Sequence, residues 1–235
     1  MAGLKTGFLS RNSIINLYCL PLLLLMPFET NVFINCPFDK EYVPILRAVL
    51  FTTIYFDLDP QISQNISSSD VRINQIKSLI KNSRWSIHDL SRSRAMKKGD
   101  LPRFNMPYEL GLDEGCHTFG GRKYRNKKTL ILASERYGYQ KVLSDIAGQD
   151  IEMHENNPQT AIAKVRDWLS ANDGNKILAT PSKIWLDFNQ FNNDLIVTLA
   201  NSHSRKEIEE MPVCDYIKHA KGWIGKLKHP IYLNK

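Results

Sequence analysis

From Asn31 to Leu169, short β-rich apolar runs alternate with stretches whose apolar residues recur every three or four positions. No other feature constrains the fold as tightly. Strands joined by helical crossovers run parallel, and a parallel sheet needs helices on both faces. The expected strands are Asn31–Asn35, Ile54–Asp57, Trp85–Ile87, Thr129–Ala133 and a short one near Asp150-Ile151. One expected helix follows Asp39 and carries Tyr42, Ile45, Leu46, Val49 and Leu50. A second follows Asp70 and carries Ile73, Ile76, Leu79 and Ile80. Two more run from about Met106 to Cys116 and from Ala161 to Leu169. Asp39 and Asp70 are the expected N-caps, because an aspartate oxygen satisfies a free amide of the first turn. The pattern predicts a flavodoxin-like, doubly wound α/β domain with a five-stranded parallel sheet. In such sheets ligands bind beyond the carboxyl ends of the strands.

Two segments flank this unit. Residues 1–27 hold Lys5 and Arg11 ahead of an apolar run from Tyr18 to Met26. The run has the shape of a signal-peptide core but is too short to span a bilayer as a helix. Four readings stay open for it: a mis-assigned start with Met26 as the true first residue, a disordered leader, a signal or anchor, and an extra packed helix. The α/β unit is expected over 28–171. Asn172-Asp-Gly-Asn175 reads as a linker, and 176–235 as a helical extension. Trp185, Phe188, Phe191, Leu195, Ile196 and Leu199 mark one long amphipathic helix there, and a second around Ile208–Ile224 is interrupted at Pro212. The extension pads the domain or mediates assembly.

The 235 residues carry a formal charge of +7, which favours anionic partners such as nucleotides. The densest basic stretches, Arg92–Lys98 and Arg122–Lys128, read as loops. Each is either solvated loop charge or a phosphate-attracting rim. The four cysteines form no C-x-x-C pair and have no partner at metal-ligand spacing. That points to a reducing, cytoplasmic setting without structural zinc.

Two loops, Cys36–Asp39 and His88–Asn105, leave strand ends that the fold places side by side. They gather Asn35, Phe38, Asp89, Ser91, Phe104, Asn105 and Glu109 towards one crevice. Phe38 and Phe104 are suited to stack on a base or pyridine ring. Asn105 and Asp89 are suited to hold sugar hydroxyls. Glu109 would face the anomeric carbon, where a carboxylate stabilises or attacks an oxocarbenium-like transition state. Pro107 fits a first helical turn, so Glu109 is expected near the positive end of the helix dipole and ionised. An acidic residue there can equally serve the helix alone. His88 is expected to be structural, and Asp113 and Glu114 to face solvent. No phosphate-loop, dinucleotide or nucleophile-elbow fingerprint is present.

Three stretches, "NVFINCPFDKEY", "SIHDLS" and "FNMPYELGLDEG", resemble bacterial TIR-like domains and the related nucleoside 2-deoxyribosyltransferases. The resemblance covers about residues 28–170. It implies a flavodoxin-like fold and a catalytic glutamate at Glu109. In TIR enzymes the matching glutamate cleaves the nicotinamide–ribose bond of NAD, often in antiphage defence and with activation by self-association. In the transferases the matching carboxylate takes up deoxyribose. Where TIR enzymes often carry serine or cysteine before the glutamate, this chain has Asn105 and Tyr108. Asn35, Phe38, Asp89, Ser91, Phe104, Asn105 and Tyr108 are then the nucleotide-binding candidates.

The leading expectation is an NAD glycohydrolase or cyclase with NAD as substrate, no further cofactor, and self-association through the TIR-like domain or the helical tail. Nucleic acid and membrane are not expected partners. The alternatives are a deoxyribosyltransferase-like N-glycosidic enzyme and a non-enzymatic interaction module. A nucleic-acid binder is a lesser option.

Overall fold

A computed structural model describes residues 27–63, 71–95, 99–136, 143–146, 148, 150–173 and 179–227. The leader before Pro27 and the Asp70 cap lie outside them. Five strands form one parallel sheet: β1 (Asn31–Asn35), β2 (Asp59–Gln61), β3 (Trp85–Asp89), β4 (Lys128–Ala133) and β5 (Ile151–Met153). Their order is β2-β1-β3-β4-β5. The connection leaving β1 runs to one side and the connection leaving β3 to the other. The gap between the carboxyl ends of β1 and β3 is therefore the topological switch point, where such sheets bind ligands. The flavodoxin-like α/β architecture expected from the alternation is the one observed.

The helices are α1 (Pro27–Thr30), α2 (Val43–Tyr55), α3 (Arg72–Lys81), α4 (Asn105–Phe119), α5 (Pro158–Asn172), α6 (Pro181–Leu199), α7 (Arg205–Glu209) and α8 (Val213–Lys226). Strand alternation sorts the core between two faces. Val32, Ile34, Trp85, Ile87, Leu130 and Leu132 pack with α2, α5, α6 and α8. Phe33 meets Ile76 and Ile80 of α3, and Ile131 and Ala133 meet Met106 and Leu110 of α4.

The second strand departs from expectation. Ile54 and Tyr55 end α2, and the strand is Asp59-Pro60-Gln61. Helix α2 is buried around nearly its whole circumference, with ten buried residues from Ile45 to Tyr55. A helix enclosed on every side shows no period, and its β-branched, aromatic end reads like a strand. β2 is an edge strand, where proline costs no ladder hydrogen bond.

The helical extension encloses α2. Phe51 stacks on Phe191, with ring centroids 5.5 Å apart, and lies 6.1 Å from Trp223. The Tyr55 hydroxyl donates to Asp187 over 2.8 Å. Arg47 donates to the Ile208 carbonyl over 2.8 Å and lies over the Tyr216 ring. The extension pads the domain: 179–227 completes the core of the α/β unit. Among the described residues, no helix is long and apolar enough to cross a membrane.

Candidate active site at the switch point

The site is assembled from the ends of β1 and β3 and the start of α4. Asn35, the last residue of β1, is 2% exposed. Its Nδ2 donates to the Met106 carbonyl over 2.9 Å and lies 3.0 Å from His88 Nδ1. Its Oδ1 has no partner among the described residues. Asn35 therefore ties β1 to the first turn of α4.

Helix α4 starts at Asn105, so Pro107 is its third residue and Glu109 its fifth. Glu109 thus lies in the second turn, beyond the strongest part of the dipole field. It is 4% exposed, and among the described residues it makes no hydrogen bond or ion pair. Burial pushes its carboxyl up to about 7, and the Arg72 guanidinium opposes the rise. The expectation of an ionised Glu109 is corrected on this point: desolvation outweighs the dipole, and the group titrates near neutrality. Cys36 next to Asn35 feels the same carboxylate. Its thiol is pushed well up by burial and then by the charges of Asp89, Glu109 and Asp39.

Asp89 and Ser91 hold the loops rather than open hydroxyl subsites. Asp89 is fully buried. It accepts from the Tyr42 hydroxyl at 2.8 Å and the Ser91 amide at 2.8 Å, and pairs with His154 Nε2 at 2.9 Å. Burial alone would raise its carboxyl, but the His154 hydrogen bond and the bonds from Ser91 hold it low. Ser91 Oγ lies 3.0 Å from the same His154 nitrogen. The Asn156 amide donates to His154 Nδ1 over 3.1 Å, so Nε2 carries the proton directed at Asp89. This cluster pins the loops after β3 and β5 to the start of α2. A fully buried, fully bonded Asp89 has no lone pair exposed to a sugar. Phe38 packs on the core and lines a cavity of about 180 Å³ with Leu50, Met211 and Tyr216, facing the helical extension.

The remaining candidates are available to a ligand. Phe104 (65% exposed) and Tyr108 (56% exposed) stand one turn apart at the start of α4, beside an exposed Asn105. A cleft of about 450 Å³ opens between the loops after β1, β3 and β5, and Arg103, the residue before Phe104, is part of its lining. Asp39, Arg92, Arg94, Arg103 and Asn156 are among its lining. Two of these arginines are engaged. Arg92 grips Asp39 through Nε at 3.0 Å and Nη2 at 2.9 Å, and Arg94 pairs with Glu135. The Arg103 amide donates to the Arg92 carbonyl over 2.7 Å, which closes the loop and brings the three guanidinium groups to one cleft.

Beneath the site lies a buried polar group on the α4 face of the sheet. Asp113 is fully buried, against the expectation that it faces solvent. It accepts from Ser86 Oγ, meets His88 Nε2 at 3.1 Å and pairs with Lys127 at 2.9 Å. Burial alone would raise the Asp113 carboxyl. The His88 hydrogen bond, then the Lys127 charge and the Ser86 bond, hold it well below the usual carboxylate range. Lys127 also donates to the carbonyls of Ile80 and Ser83. In the Arg122–Lys128 stretch this lysine is therefore fixed in the interior rather than solvated. His88 is structural, as expected. Glu114 is half-buried. Among the described residues, no group of three or more His, Cys, Asp or Glu is placed to hold a metal ion.

Tyr42, His154 and, as an individual cleft residue, Arg103 carry no local sequence signal for these places in the site. Asn157, which caps α5 through Gln159 and Thr160, was the nearest local signal for a turn beside His154. Compared with protein-family models, curated proteins and solved structures, the chain gives no match.

Proposed function

We propose that the protein cleaves the N-glycosidic bond of a nucleotide at Glu109, with NAD as the substrate and nicotinamide as the leaving base. One observation carries this reading: a buried carboxylate with no bonding partner among the described residues stands at the switch point of a doubly wound sheet. Buried carboxylates are ordinarily paired or hydrogen-bonded, as Asp89 and Asp113 are here. Leaving one unpaired costs stability, and such a cost is usual at functional sites.

The chemistry follows from the charge. Departure of nicotinamide leaves positive charge on the ribose carbon and ring oxygen. Ionised Glu109 stabilises that charge from within a low-dielectric pocket, where it acts far more strongly than in water. Water, or a hydroxyl of the same nucleotide, then bonds to the ribose carbon and gives up its proton to the Glu109 carboxylate, giving hydrolysis or cyclisation. Phe104 and Tyr108 offer ring faces to the base, and the arginine-bearing cleft receives the phosphates.

The test is incubation of concentrated protein with NAD, with chromatographic separation of nicotinamide and the nucleotide product, and Glu109→Gln alongside. Release by the wild type alone supports the proposal. If release is absent but intact-mass analysis finds a deoxyribosyl adduct on Glu109 with deoxynucleosides, the enzyme is a transferase instead. If both are absent, the interaction-module reading takes its place.

A further inference from the structure

Glu109 can act only if α4 holds it at the strand ends, and the Asn35 side chain is the polar link between β1 and the start of α4. A primary amide can lie either way round, so its orientation must be set. A carbonyl oxygen only accepts, so the contact with Met106 O requires Nδ2 on that side. The second amide hydrogen then points at His88 Nδ1, 3.0 Å away, and Nδ1 must be bare. The ring proton therefore sits on Nε2, directed at the ionised Asp113 3.1 Å away. Asp113 is in turn held by Ser86 and Lys127. Asn35, His88 and Asp113 are all at most 2% exposed, so these bonds are closed to bulk water. Asp113 lies one turn after Glu109 on α4, so the chain of bonds leaves α4 at Asp113 and returns to it at Met106.

We propose that His88 is a positioning residue: its bare Nδ1 holds the Asn35 amide against the Met106 carbonyl and thereby fixes the turn of α4 that aims Glu109. This rests on the reading of Glu109 as the catalytic carboxylate. It gives a physical reason for a histidine at the end of β3. A single rigid ring presents an acceptor to Asn35 from Nδ1 and a donor to Asp113 from Nε2 at once, two separate atoms on one plane that a one-atom hydroxyl does not offer.

Two substitutions separate the two contacts. His88→Asn keeps an acceptor oxygen near the position of Nδ1 and gives up Asp113. His88→Gln keeps an amide donor near the position of Nε2 and gives up Asn35. Each loses one buried bond, so their general cost in stability is similar. Amide hydrogen exchange is followed across Met106–Leu110, with β4 as the internal reference, and nicotinamide release is measured on the same samples. The expected result is at least tenfold faster exchange in that turn for His88→Gln, with β4 unchanged, and protection within about threefold of wild type for His88→Asn. In the activity arm kcat falls by about 100-fold in His88→Gln with KM within about twofold, and His88→Asn recovers most of the loss. Equal exchange in the two variants, or loss of protection in β4 as well, overturns the proposal. A wild type that releases no nicotinamide refutes the functional reading, while the exchange pattern still decides whether His88 holds the turn.

Discussion

Glu109 and Asp113 stand one helical turn apart on the sheet-facing side of α4, and their carboxylates have opposite fates. Asp113 meets His88 and Lys127 and stays ionised far below neutrality. Glu109 meets neither, and burial lifts it to about 7. Two like side chains on one helix face are thus divided into a structural anion and a carboxylate that changes charge near physiological pH.

The Glu109 shift has a consequence for stability. Its folded value of about 7 lies above the ordinary 4.5. Between those values the folded protein keeps a proton that the unfolded chain has lost, so stability falls as pH rises through this window and stays low above it. The loss is on the order of 2–3 kcal/mol. Denaturant unfolding at pH 5 and pH 8 should show it. Glu109→Gln should flatten that limb and be the more stable protein at pH 8.

Asp113 carries the reverse expectation. Asp113→Asn leaves Lys127 charged and buried beside two carbonyls, without its counter-ion. The cost should be about 3–5 kcal/mol, the usual effect of breaking a buried pair. Pairing Asp113→Asn with Lys127→Met should recover a large part of it. Urea unfolding of the three variants measures the coupling.

Phe104 and Tyr108 are exposed, so their replacement by alanine should change stability by no more than about 0.5 kcal/mol. If they stack on the base, each variant should raise KM for NAD roughly three- to tenfold with kcat little altered. Steady-state kinetics beside a thermal melt separates the two effects.

The helical extension is predicted to be inseparable from the α/β unit. Phe191 is buried against Phe51 and Tyr216, so Phe191→Ala should cost about 3–5 kcal/mol. Unfolding should remain a single transition, because the mutated helix and the sheet share one core.

Much of the architecture was legible in the chain because parallel strands buried on both faces read as continuous apolar runs, as in Asn31–Asn35 and Thr129–Ala133. β2 was hidden because an edge strand of three residues with a central proline carries no apolar signal, while the end of α2 imitates one. Glu109 stood out through its place after a polar loop. Asp113 did not, because its burial depends on Ser86 and His88 facing α4, and facing follows from strand register rather than from local pattern. Asp89 reads as a ligand group in the sequence for a related reason. An aspartate at a strand end looks the same whether it meets solvent or, as here, a histidine sixty-five residues later in the chain.

The central claim is that Glu109 carries the chemistry, and nicotinamide release from NAD at pH 7 to 8 by wild type and Glu109→Gln tests it most directly. The variant removes one charge and little volume, and it should fold at least as well as wild type. The account predicts release by the wild type and a fall of at least about 100-fold in kcat for the variant. Equal rates in the two proteins would contradict it.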